Sequence, residues 1–488
     1  MKRTYLAIAV TLAAVAAEAR TFEIRAWRGE TVAAEVADFF TGEIAAPTGF
    51  GVKVGSVEAV KYLTAAGGRQ YASCLDKVVW GKTDGAHRWV EIAVPADAKP
   101  GVYELGALRL KVLDRVLPPA KEWKYFLDLW QHPWAVSRFF GVRPFSSGHY
   151  AKMRPLWELL ASAGQKALTV SLLEEPWDHQ CYDAYHAMVR RVRHADGSWS
   201  FDYSLFDEYV AFGRSCGIGP DISCYTMCPW GYRVSWEDEA GRLCRAEAKP
   251  GTPFFEEYWG PFLADFKRHL EEKGWFKDAY IAMDERDPDD LRIIVSFIQK
   301  KAPGLKTAMA GNRKPSDFEG LVFDNYCQAL RKATPEFLEK EVPERRAKGY
   351  RTTCYVCCGP DYPNTFMSSE LAEAFWLGSY PAAVGLDGFL RWAWNSWPKD
   401  PSADASFGTW KAGDTFLVYP DGSPSSRFLA LRSGIVAAEK VRILKESADF
   451  DARKFADTAA WYKREEAIAN MTKFGRVRTK MQEFVNAD

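Results

Sequence analysis

Two neighbouring carboxylates, Asp284 and Glu285, follow a short apolar run and are the residues of this sequence best placed to do chemistry. The run, Ala279 to Met283, is apolar or aromatic at every position and lacks helical periodicity, which predicts a buried strand. If this strand belongs to a parallel α/β barrel, its carboxyl end opens onto the active-site face. The pair is then the arrangement used by glycosidases in which the acetamido group of the sugar attacks the anomeric carbon.

The two acids are predicted to have different roles. Glu285 is the predicted proton donor to the glycosidic oxygen. Asp284 is the predicted acceptor, because an ionised carboxylate stabilises the positive charge that develops on the acetamido nitrogen. Successive strand residues point to opposite faces, so both acids reach one substrate only if the strand bends or ends at the pair. Tyr326, at the predicted end of the sixth strand, is the candidate hydroxyl for the acetamido oxygen.

The dipeptide has this meaning only in its context. Asp207-Glu208 and Asp238-Glu239 also occur, in a predicted helix and a predicted turn. The simple alternative is that Asp284 and Glu285 pair with Arg286 or with a nearby lysine. The position at a strand end favours catalysis over this alternative.

Eight strand-like runs alternate with helical segments and predict a (β/α)8 TIM-type barrel. The runs are Phe126 to Trp130, Leu168 to Leu172, Ile222 to Met227, Ala279 to Met283, Lys306 to Ala310, Leu321 to Tyr326, Thr352 to Val356 and Gly388 to Trp394. Right-handed crossovers would place the carboxyl ends of all the strands on one face. The chemistry is therefore expected at that face.

The remaining chain predicts three further segments around the barrel of residues 119–445. Residues 20–118 alternate apolar and polar positions between turn signals, which predicts a small β-sandwich domain that ends at Leu117-Pro118-Pro119. Residues 446–488 predict a helical C-terminal extension without chemistry. Residues 1–19 read as a signal peptide, because Lys2 and Arg3 precede an apolar stretch and a small-residue cleavage site. The protein is therefore expected to be exported, to the periplasm or outside the cell.

The residues near the predicted strand ends form a ring of aromatic and amide side chains. The predicted substrate-binding residues are Trp130, His132, Trp177, Tyr225, Trp230, Asn325, Tyr326, Trp392, Trp394 and Asn395. Such a ring suits a neutral polyhydroxylated ligand, which needs polar partners and apolar stacking faces. Core packing is an equal alternative for Trp392 and Trp394, a structural role is favoured for His132 over acid-base catalysis, and Glu174 and Glu175 stay undecided.

Composition and cysteine spacing set the expected partners. Lys plus Arg and Asp plus Glu both number 64, so no net charge attracts nucleic acid, and no later run is long enough for stable membrane insertion. Four of the ten cysteines lie in strand-like runs where thiols usually fill the core, namely Cys224, Cys354, Cys357 and Cys358. Their spacing argues against zinc, and Asp287 and Asp289 are typical of a helix N-terminus, not of a metal site with the acid pair. We expect no metal, no cofactor and a glycan or glycoconjugate partner.

Long motifs of the chain resemble the catalytic domain of glycoside hydrolase family 123. They include FLDLWQHPWAVSRFFGV, LLEEPWDHQCYDAYHAMV, GWFKDAYIAMDERDP and DGFLRWAWNSW, and the similarity extends from about Trp123 to Leu444. The resemblance implies a barrel after a β-sandwich, retaining β-N-acetylgalactosaminidase activity and substrate-assisted catalysis. The acid pair of the family falls on Asp284 and Glu285.

The resulting expectation is an exported, retaining exo-glycosidase that hydrolyses terminal β-linked N-acetylhexosamine, with N-acetylgalactosamine favoured. One alternative is a carbohydrate-binding barrel without turnover. Another is a retaining glycosidase with a carboxylate nucleophile, for which Asp324 and Glu175 are the candidates opposite Glu285.

Overall fold

The computed structural model describes residues 22–36, 44, 46–64, 70–106, 108–318, 320–463 and 472–488, and the predicted signal peptide lies outside this part of the chain. Strands β1 to β7 are Phe22–Arg28, Thr31–Val36, Gly51–Leu63, Tyr71–Trp80, Arg88–Ala93, Gly101–Glu104 and Leu108–Val116. Strands β8 to β19 are Phe126–Leu129, Ala167–Ser171, Arg190–Arg193, Trp199–Asp202, Asp221–Tyr225, Arg233–Asp238, Leu243–Glu247, Ala279–Met283, Lys306–Gly311, Asn325–Ala329, Arg351–Val356 and Gly388–Arg391. Helices α1 to α10 are Pro133–Phe140, Ser147–Ala161, Ser204–Ser215, Pro253–Glu272, Pro288–Lys301, Val342–Ala347, Leu371–Val384, Ser426–Lys445, Ala452–Ala459 and Thr472–Val485.

The first seven strands form two sheets that pack against each other. One sheet has the order β1-β7-β6 and the other the order β2-β5-β3-β4. Alternate residues of β7, Leu108, Leu110 and Val112, share a buried core with Val90 and Ile92 of β5. The alternation of apolar residues therefore faces inward, and the predicted β-sandwich ahead of the barrel is confirmed.

Eight parallel strands form the barrel, in the order β8-β19-β18-β17-β16-β15-β12-β9. The seam between β8 and β9 is joined by one backbone bridge, from Leu127 to Gln165, and by glutamine side chains. Leu129 N donates to Gln165 Oε1 at 3.0 Å, and Thr169 N donates to Gln131 Oε1 at 2.9 Å. The predicted TIM-type barrel is confirmed, with side-chain amides completing the ladder where the strands separate.

The sixth and eighth predicted barrel strands differ from the observed strands by three or more residues at one end or both. The sixth strand is Asn325–Ala329, four residues later than the predicted start at Leu321. Phe323 is buried in the loop before it, so the apolar run marked a buried loop and not the strand. The eighth strand ends at Arg391, and the aromatic residues that follow belong to a loop.

Two excursions from the carboxyl side of the barrel combine into one sheet, which the sequence did not predict. The hairpins β10-β11 and β13-β14 join through a parallel pairing of β10 with β13. The guanidinium of Arg191 on β10 lies 4.0 Å from the ring centroid of Phe262 and 4.5 Å from that of Trp259, both on α4. This cation–π stacking fastens the added sheet to the barrel.

Helices α7, α8 and α10, from the C-terminal part of the chain, pack together. Helices α7 and α8 approach closely at Gly378 and Gly434, where a Cβ at Gly378 would lie 2.4 Å from Leu431 O. Helix α10 buries Phe474 and Met481, and Trp27 Nε1 of the sandwich donates to Val485 O at 3.0 Å. The helical C-terminal extension is therefore confirmed, and it contacts the first strand of the chain.

The sandwich and barrel also meet through a buried ion pair. Asp76 of β4 accepts hydrogen bonds from the guanidinium of Arg427 at 2.8 Å and from the hydroxyl of Tyr419 at 2.6 Å. All three side chains are buried.

In the described part of the chain, no helix is both long and apolar enough to cross a bilayer.

Candidate active site

The acid pair follows the fourth barrel strand directly. Strand β15 ends at Met283, and Asp284 and Glu285 are the next two residues. Glu285 N donates to Asp284 Oδ1 at 2.8 Å, which forms a tight local turn. Because the strand ends before the pair, the alternation that would aim the two side chains apart no longer applies.

Two side chains from other strands hold the Glu285 carboxyl group. Asn312, directly after β16, donates through Nδ2 to Glu285 Oε2 at 2.7 Å. Tyr355, the fifth residue of β18, donates its hydroxyl to Glu285 Oε1. Burial and the Glu285 carboxylate raise the pKa of Tyr355, so its hydroxyl remains a donor. Three strands of the barrel therefore define the position of one carboxyl group.

The Asp284 carboxyl group is electrostatically different from an exposed aspartate. Burial raises its pKa to about 6, the nearby Glu285 charge adds to this effect, and the Arg286 guanidinium opposes it. The group therefore changes its charge close to neutral pH, which is typical of functional carboxyls.

Arg286 and Trp230 form a flat surface beside the pair. Arg286 Nε donates to Cys228 O at 2.9 Å, and the guanidinium carbon lies 4.3 Å from the ring centroid of Trp230. Trp230 is 36% exposed, so this indole remains open to solvent. An exposed aromatic face of this kind is suited to stacking against a sugar or its aglycone.

Beneath the mouth, three predicted binding residues form a buried aromatic cluster. The ring centroids of Trp130 and Trp177 are 5.0 Å apart, and Tyr225 lies 4.6 Å from Trp130 and 5.0 Å from Trp177. Burial raises the pKa of Tyr225, and the charges of Asp128 and Asp284 add to the shift. Tyr225 of this cluster is therefore close to both Asp128 of β8 and Asp284 of the acid pair.

His132 and Asn395 contact each other in the interior. His132 N donates to Asn395 Oδ1 at 2.9 Å, and Asn395 Nδ2 donates to His132 O at 3.0 Å. Both residues are fully buried, and burial lowers the pKa of His132 to about 3. The imidazole is therefore neutral and caps helix α1, a structural role that the sequence also favoured.

Trp392 and Trp394 lie outside the eighth barrel strand, although the predicted run extended to Trp394. Both follow the end of β19. Trp394 is fully buried against Phe428 of α8, with ring centroids 4.7 Å apart, and therefore fills the core. Trp392 is partly exposed, and its Nε1 donates to Asp414 Oδ1 at 3.0 Å.

Tyr326 and Asn325 are not at the end of the sixth strand, because that strand begins at Asn325. The Tyr326 hydroxyl donates to Arg313 O at 2.6 Å, and its ring lies 6.1 Å from that of Phe318. The predicted position of Tyr326 beside the acid pair is therefore wrong. Tyr355 instead is a tyrosine that contacts the acid pair, through Glu285.

The two candidate nucleophiles have other contacts. Glu175 accepts hydrogen bonds from Tyr185 N at 3.0 Å and His179 N at 2.9 Å, so it fixes the loop after β9. Asp324 precedes β17 at the amino-terminal end of the barrel and accepts from Thr307 N at 2.8 Å. Asp324 therefore does not lie opposite Glu285.

Asp287 and Asp289 are further acids close to the pair in the sequence. In the part of the chain that the structure describes, no group of three or more His, Cys, Asp or Glu side chains is arranged to hold a metal ion. Asp287 is the N-cap of α5, where its Oδ1 accepts from Asp289 N at 2.9 Å. The assignment of both residues to a helix N-terminus is confirmed.

Residues 130–444 match the model of the glycoside hydrolase 123 catalytic domain. The chain belongs to glycoside hydrolase family 123. Among solved structures, a family 123 glycoside hydrolase from Clostridium perfringens, described in a study of glycolipid glycan hydrolysis, is 22% identical with a TM-score of 0.83. The alignment covers 96% of this chain and 94% of the clostridial chain, and at this identity it shows a shared fold.

A more distant similarity is to a family 39 glycoside hydrolase from Bacteroides cellulosilyticus WH2. It is 13% identical with a TM-score of 0.38, over 86% of this chain and 81% of that one. None of the curated proteins matches the chain. Membership of family 123 confirms the resemblance seen in the motifs and identifies the chain as a glycoside hydrolase.

The sequence missed one contact of the family 123 site and left another unassigned. Tyr355 lies within the predicted run Thr352 to Val356 and was not among the candidates. Asn312, two residues after the predicted fifth run, was given no role. The signal for Tyr355 was its position one residue before the end of its run, close to the expected barrel mouth.

Proposed function

We propose that this family 123 chain is an exported, retaining exo-glycosidase that removes terminal β-linked N-acetylhexosamine, with N-acetylgalactosamine as the preferred sugar. The observation that supports it best is the acid pair after β15, in which Asn312 and Tyr355 hold Glu285 while Asp284 stays next to it. One carboxyl group is positioned for proton transfer, and the other lies where an acetamido group could be oriented.

In the first step, the acetamido oxygen attacks the anomeric carbon as the glycosidic bond breaks. Glu285 donates its proton to the leaving oxygen. Positive charge develops on the acetamido nitrogen, and the Asp284 carboxylate accepts the hydrogen bond of that N–H. The attraction between the Asp284 carboxylate and this N–H strengthens as the charge develops, so the stabilisation is concentrated in the transition state.

In the second step, water opens the cyclic oxazolinium intermediate. Glu285, now ionised, removes a proton from the water as it attacks the anomeric carbon. The two displacements occur at opposite faces of the sugar, so the product retains the β configuration. The charge interaction between Asp284 and the acetamido nitrogen ends when the neutral acetamido group forms again.

The substrate class and export are supported by separate observations. The favoured sugar comes from the resemblance to family 123, and the clostridial relative was studied for hydrolysis of glycolipid glycans. Trp230 beside Arg286 provides an open aromatic face for the rest of such a glycan. Export is inferred from the Lys2-Arg3 start and the apolar stretch of residues 1–19.

The test is turnover of aryl glycosides that differ only in the sugar. We expect the β-N-acetylgalactosaminide to be cleaved fastest, the β-galactoside without an acetamido group to be inert, and NMR to detect the β-anomer first. A thiazoline analogue of the oxazoline should inhibit competitively. Full turnover by an Asp284→Asn variant would refute the amide-assisted mechanism.

The alternatives have distinct results in the same experiments. Calorimetric binding of the glycan without any hydrolysis would favour the non-catalytic barrel. A covalent glycosyl-enzyme adduct, trapped with a fluorinated sugar and located by mass spectrometry, would favour a carboxylate nucleophile.

A further inference from the structure

Two adjacent cysteines lie at the barrel mouth, outside the proposed reaction. Cys357 and Cys358 follow the last residue of β18, Val356, although the sequence predicted them to be core residues of a strand. Cys357 is partly buried and Cys358 is exposed. Their sulfur atoms are 3.8 Å apart, at hydrogen-bonding distance for thiols.

The environment makes one of these thiols reactive. The hydrogen bond between the sulfurs lowers the pKa of Cys358 to about 7 and raises that of Cys357. An exposed thiol of this kind is largely thiolate at slightly alkaline pH, and the thiolate is the nucleophile in disulfide exchange. Cys244 is partly exposed too, but it shares no contact with another cysteine sulfur among the described residues.

We propose that Cys357 and Cys358 are a modification site, a vicinal dithiol that a small-molecule disulfide oxidises to a cyclic disulfide, and that this closure slows turnover at Glu285. The effect on turnover rests on the proposed glycosidase function. The oxidation itself does not.

The reaction takes place in two exchanges. The Cys358 thiolate attacks one sulfur of the disulfide RS–SR, the S–S bond breaks, and one RS⁻ leaves as a mixed disulfide forms on Cys358. The Cys357 sulfur, after loss of its proton, then attacks the Cys358 sulfur and releases the second RS⁻. The two cysteines lose two protons and two electrons, and the reagent is reduced to two RSH.

Ring closure must move atoms near the site. A disulfide bond is about 2.05 Å long, so the sulfurs must approach by well over 1 Å from their present 3.8 Å separation. The segment has little freedom to absorb this movement, since Cys357 N donates to Gly359 O at 3.2 Å and Asn364 Nδ2 donates to Cys357 O at 3.1 Å. Tyr355, two residues earlier, donates to Glu285. The displacement is therefore expected to disturb the position of the catalytic carboxyl group.

The experiment incubates the full-length enzyme with oxidised glutathione and follows mass and turnover together. We expect a peptide containing Cys357 and Cys358 to lose about two mass units. We expect kcat on the aryl N-acetylgalactosaminide to fall about tenfold, as for a small misplacement of a catalytic group. Dithiothreitol should restore both. In a Cys357→Ser variant the reaction should stop at one glutathione on Cys358.

Cys244→Ser is the matched control, since it removes a partly exposed thiol away from the pair and should respond like the wild type. The proposal is overturned if no intramolecular disulfide forms, if it forms without slowing turnover, or if Cys358→Ser is inhibited as strongly as the wild type. A reduced enzyme that cleaves no glycoside would instead refute the proposed function, and the mass measurement would still decide whether the ring forms.

Discussion

Two acidic dipeptides of this family 123 domain, Asp284-Glu285 and Glu174-Glu175, follow barrel strands and differ in their contacts. Asp284-Glu285 follows β15, and Glu174-Glu175 lies shortly after β9. Glu285 is held by the side chains of Asn312, directly after β16, and Tyr355 of β18. Glu174 and Glu175 instead accept hydrogen bonds from their own loop.

The contacts of the second dipeptide explain its structural role. Glu174 accepts from Ala187 N at 3.3 Å and contacts His186 Nδ1 at 3.0 Å, while Glu175 accepts from two backbone N–H groups. Backbone donors of one loop fix the path of that loop. Donors from separate strands fix a carboxyl group relative to the barrel, as proton transfer to a bound substrate requires. A position at a strand end is therefore not enough to indicate a catalytic acid. The two dipeptides are distinguished by whether their hydrogen-bond donors come from one loop or from separate strands.

The largest expected effect separates the two dipeptides directly. Glu285→Gln should lower kcat by roughly 10²- to 10⁴-fold, because the amide cannot donate or accept the transferred proton. Glu175→Gln should keep kcat within about threefold of the wild type, since Glu175 bonds only its own loop and the amide retains one of the two acceptor oxygens. Steady-state kinetics on an aryl N-acetylgalactosaminide, with circular dichroism to verify folding, measures both. Equal losses in the two variants would remove the distinction.

The next effect concerns the donor that distinguishes Glu285. Tyr355→Phe should lower kcat by roughly 10- to 100-fold, since a hydrogen bond to a charged group contributes about 1.5–3 kcal/mol. Tyr326→Phe is the matched control, because its hydroxyl bonds to Arg313 O and not to the acid pair. A greater loss of kcat in Tyr326→Phe than in Tyr355→Phe would contradict the geometry described above.

The position of the acid pair could be predicted from the sequence, whereas the position of the sixth strand could not. The acid pair was predictable because Ala279 to Met283 is a short, wholly apolar run that ends sharply at charged residues. The sixth strand was not, because its buried positions include the polar residues Asn325 and Gln328. Gln328 is buried with a hydrogen bond from its Nε2 to Gly311 O at 3.2 Å. Polar residues in a buried strand hide it from a search for apolar runs.

The error in strand position then propagated to the site. The predicted end at Tyr326 is in fact the second residue of β17, and its side chain packs beside Phe318 instead of the acids. The joining of the two hairpins into one sheet was equally beyond the sequence, since the parallel pairing of β10 with β13 joins residues 45 positions apart, such as Val192 and Glu237. The local pattern of apolar residues therefore predicted where the acid pair lies. Its hydrogen-bond donors, Asn312 and Tyr355, could not be predicted in this way, because they depend on how distant strands pair in the barrel.

The pH dependence of catalysis is the third expectation. In the proposed mechanism, Asp284 must be ionised to stabilise the oxazolinium charge, and burial raises its pKa to about 6. We expect kcat/KM to fall about tenfold per pH unit below pH 6, since each unit removes that share of the ionised form. In an Asp284→Asn variant this acid limb should disappear from the residual activity. An unchanged acid limb in the variant would assign the ionisation to another group.

The smallest effect is on stability, where the two dipeptides should respond with opposite signs. The raised pKa of Asp284 means that its contribution favours folding below its usual pKa of 3.8 and is lost as the pH rises through about 6. Removal of this buried charge by Asp284→Asn should therefore increase the free energy of unfolding at pH 7.5, by about 1 kcal/mol. A site residue that costs stability is expected where function requires a buried charge.

Glu174 provides the opposite case. Burial disfavours its ionised form, but the hydrogen bond and charge of His186 and the N–H of Ala187 outweigh this, so its pKa is lowered. Its contribution is present above the usual pKa of 4.5 and is lost as the pH falls through the lowered value. Glu174→Gln should therefore decrease the free energy of unfolding at pH 7.5 by about a few tenths of a kcal/mol, because the side chains of Glu174 and His186 are 34% and 53% exposed and their interaction is screened by solvent. Urea unfolding of both variants at pH 7.5 measures the sign of each change in the free energy of unfolding. A destabilised Asp284→Asn beside a stabilised Glu174→Gln would contradict the assignment of an unfavourable buried charge to Asp284.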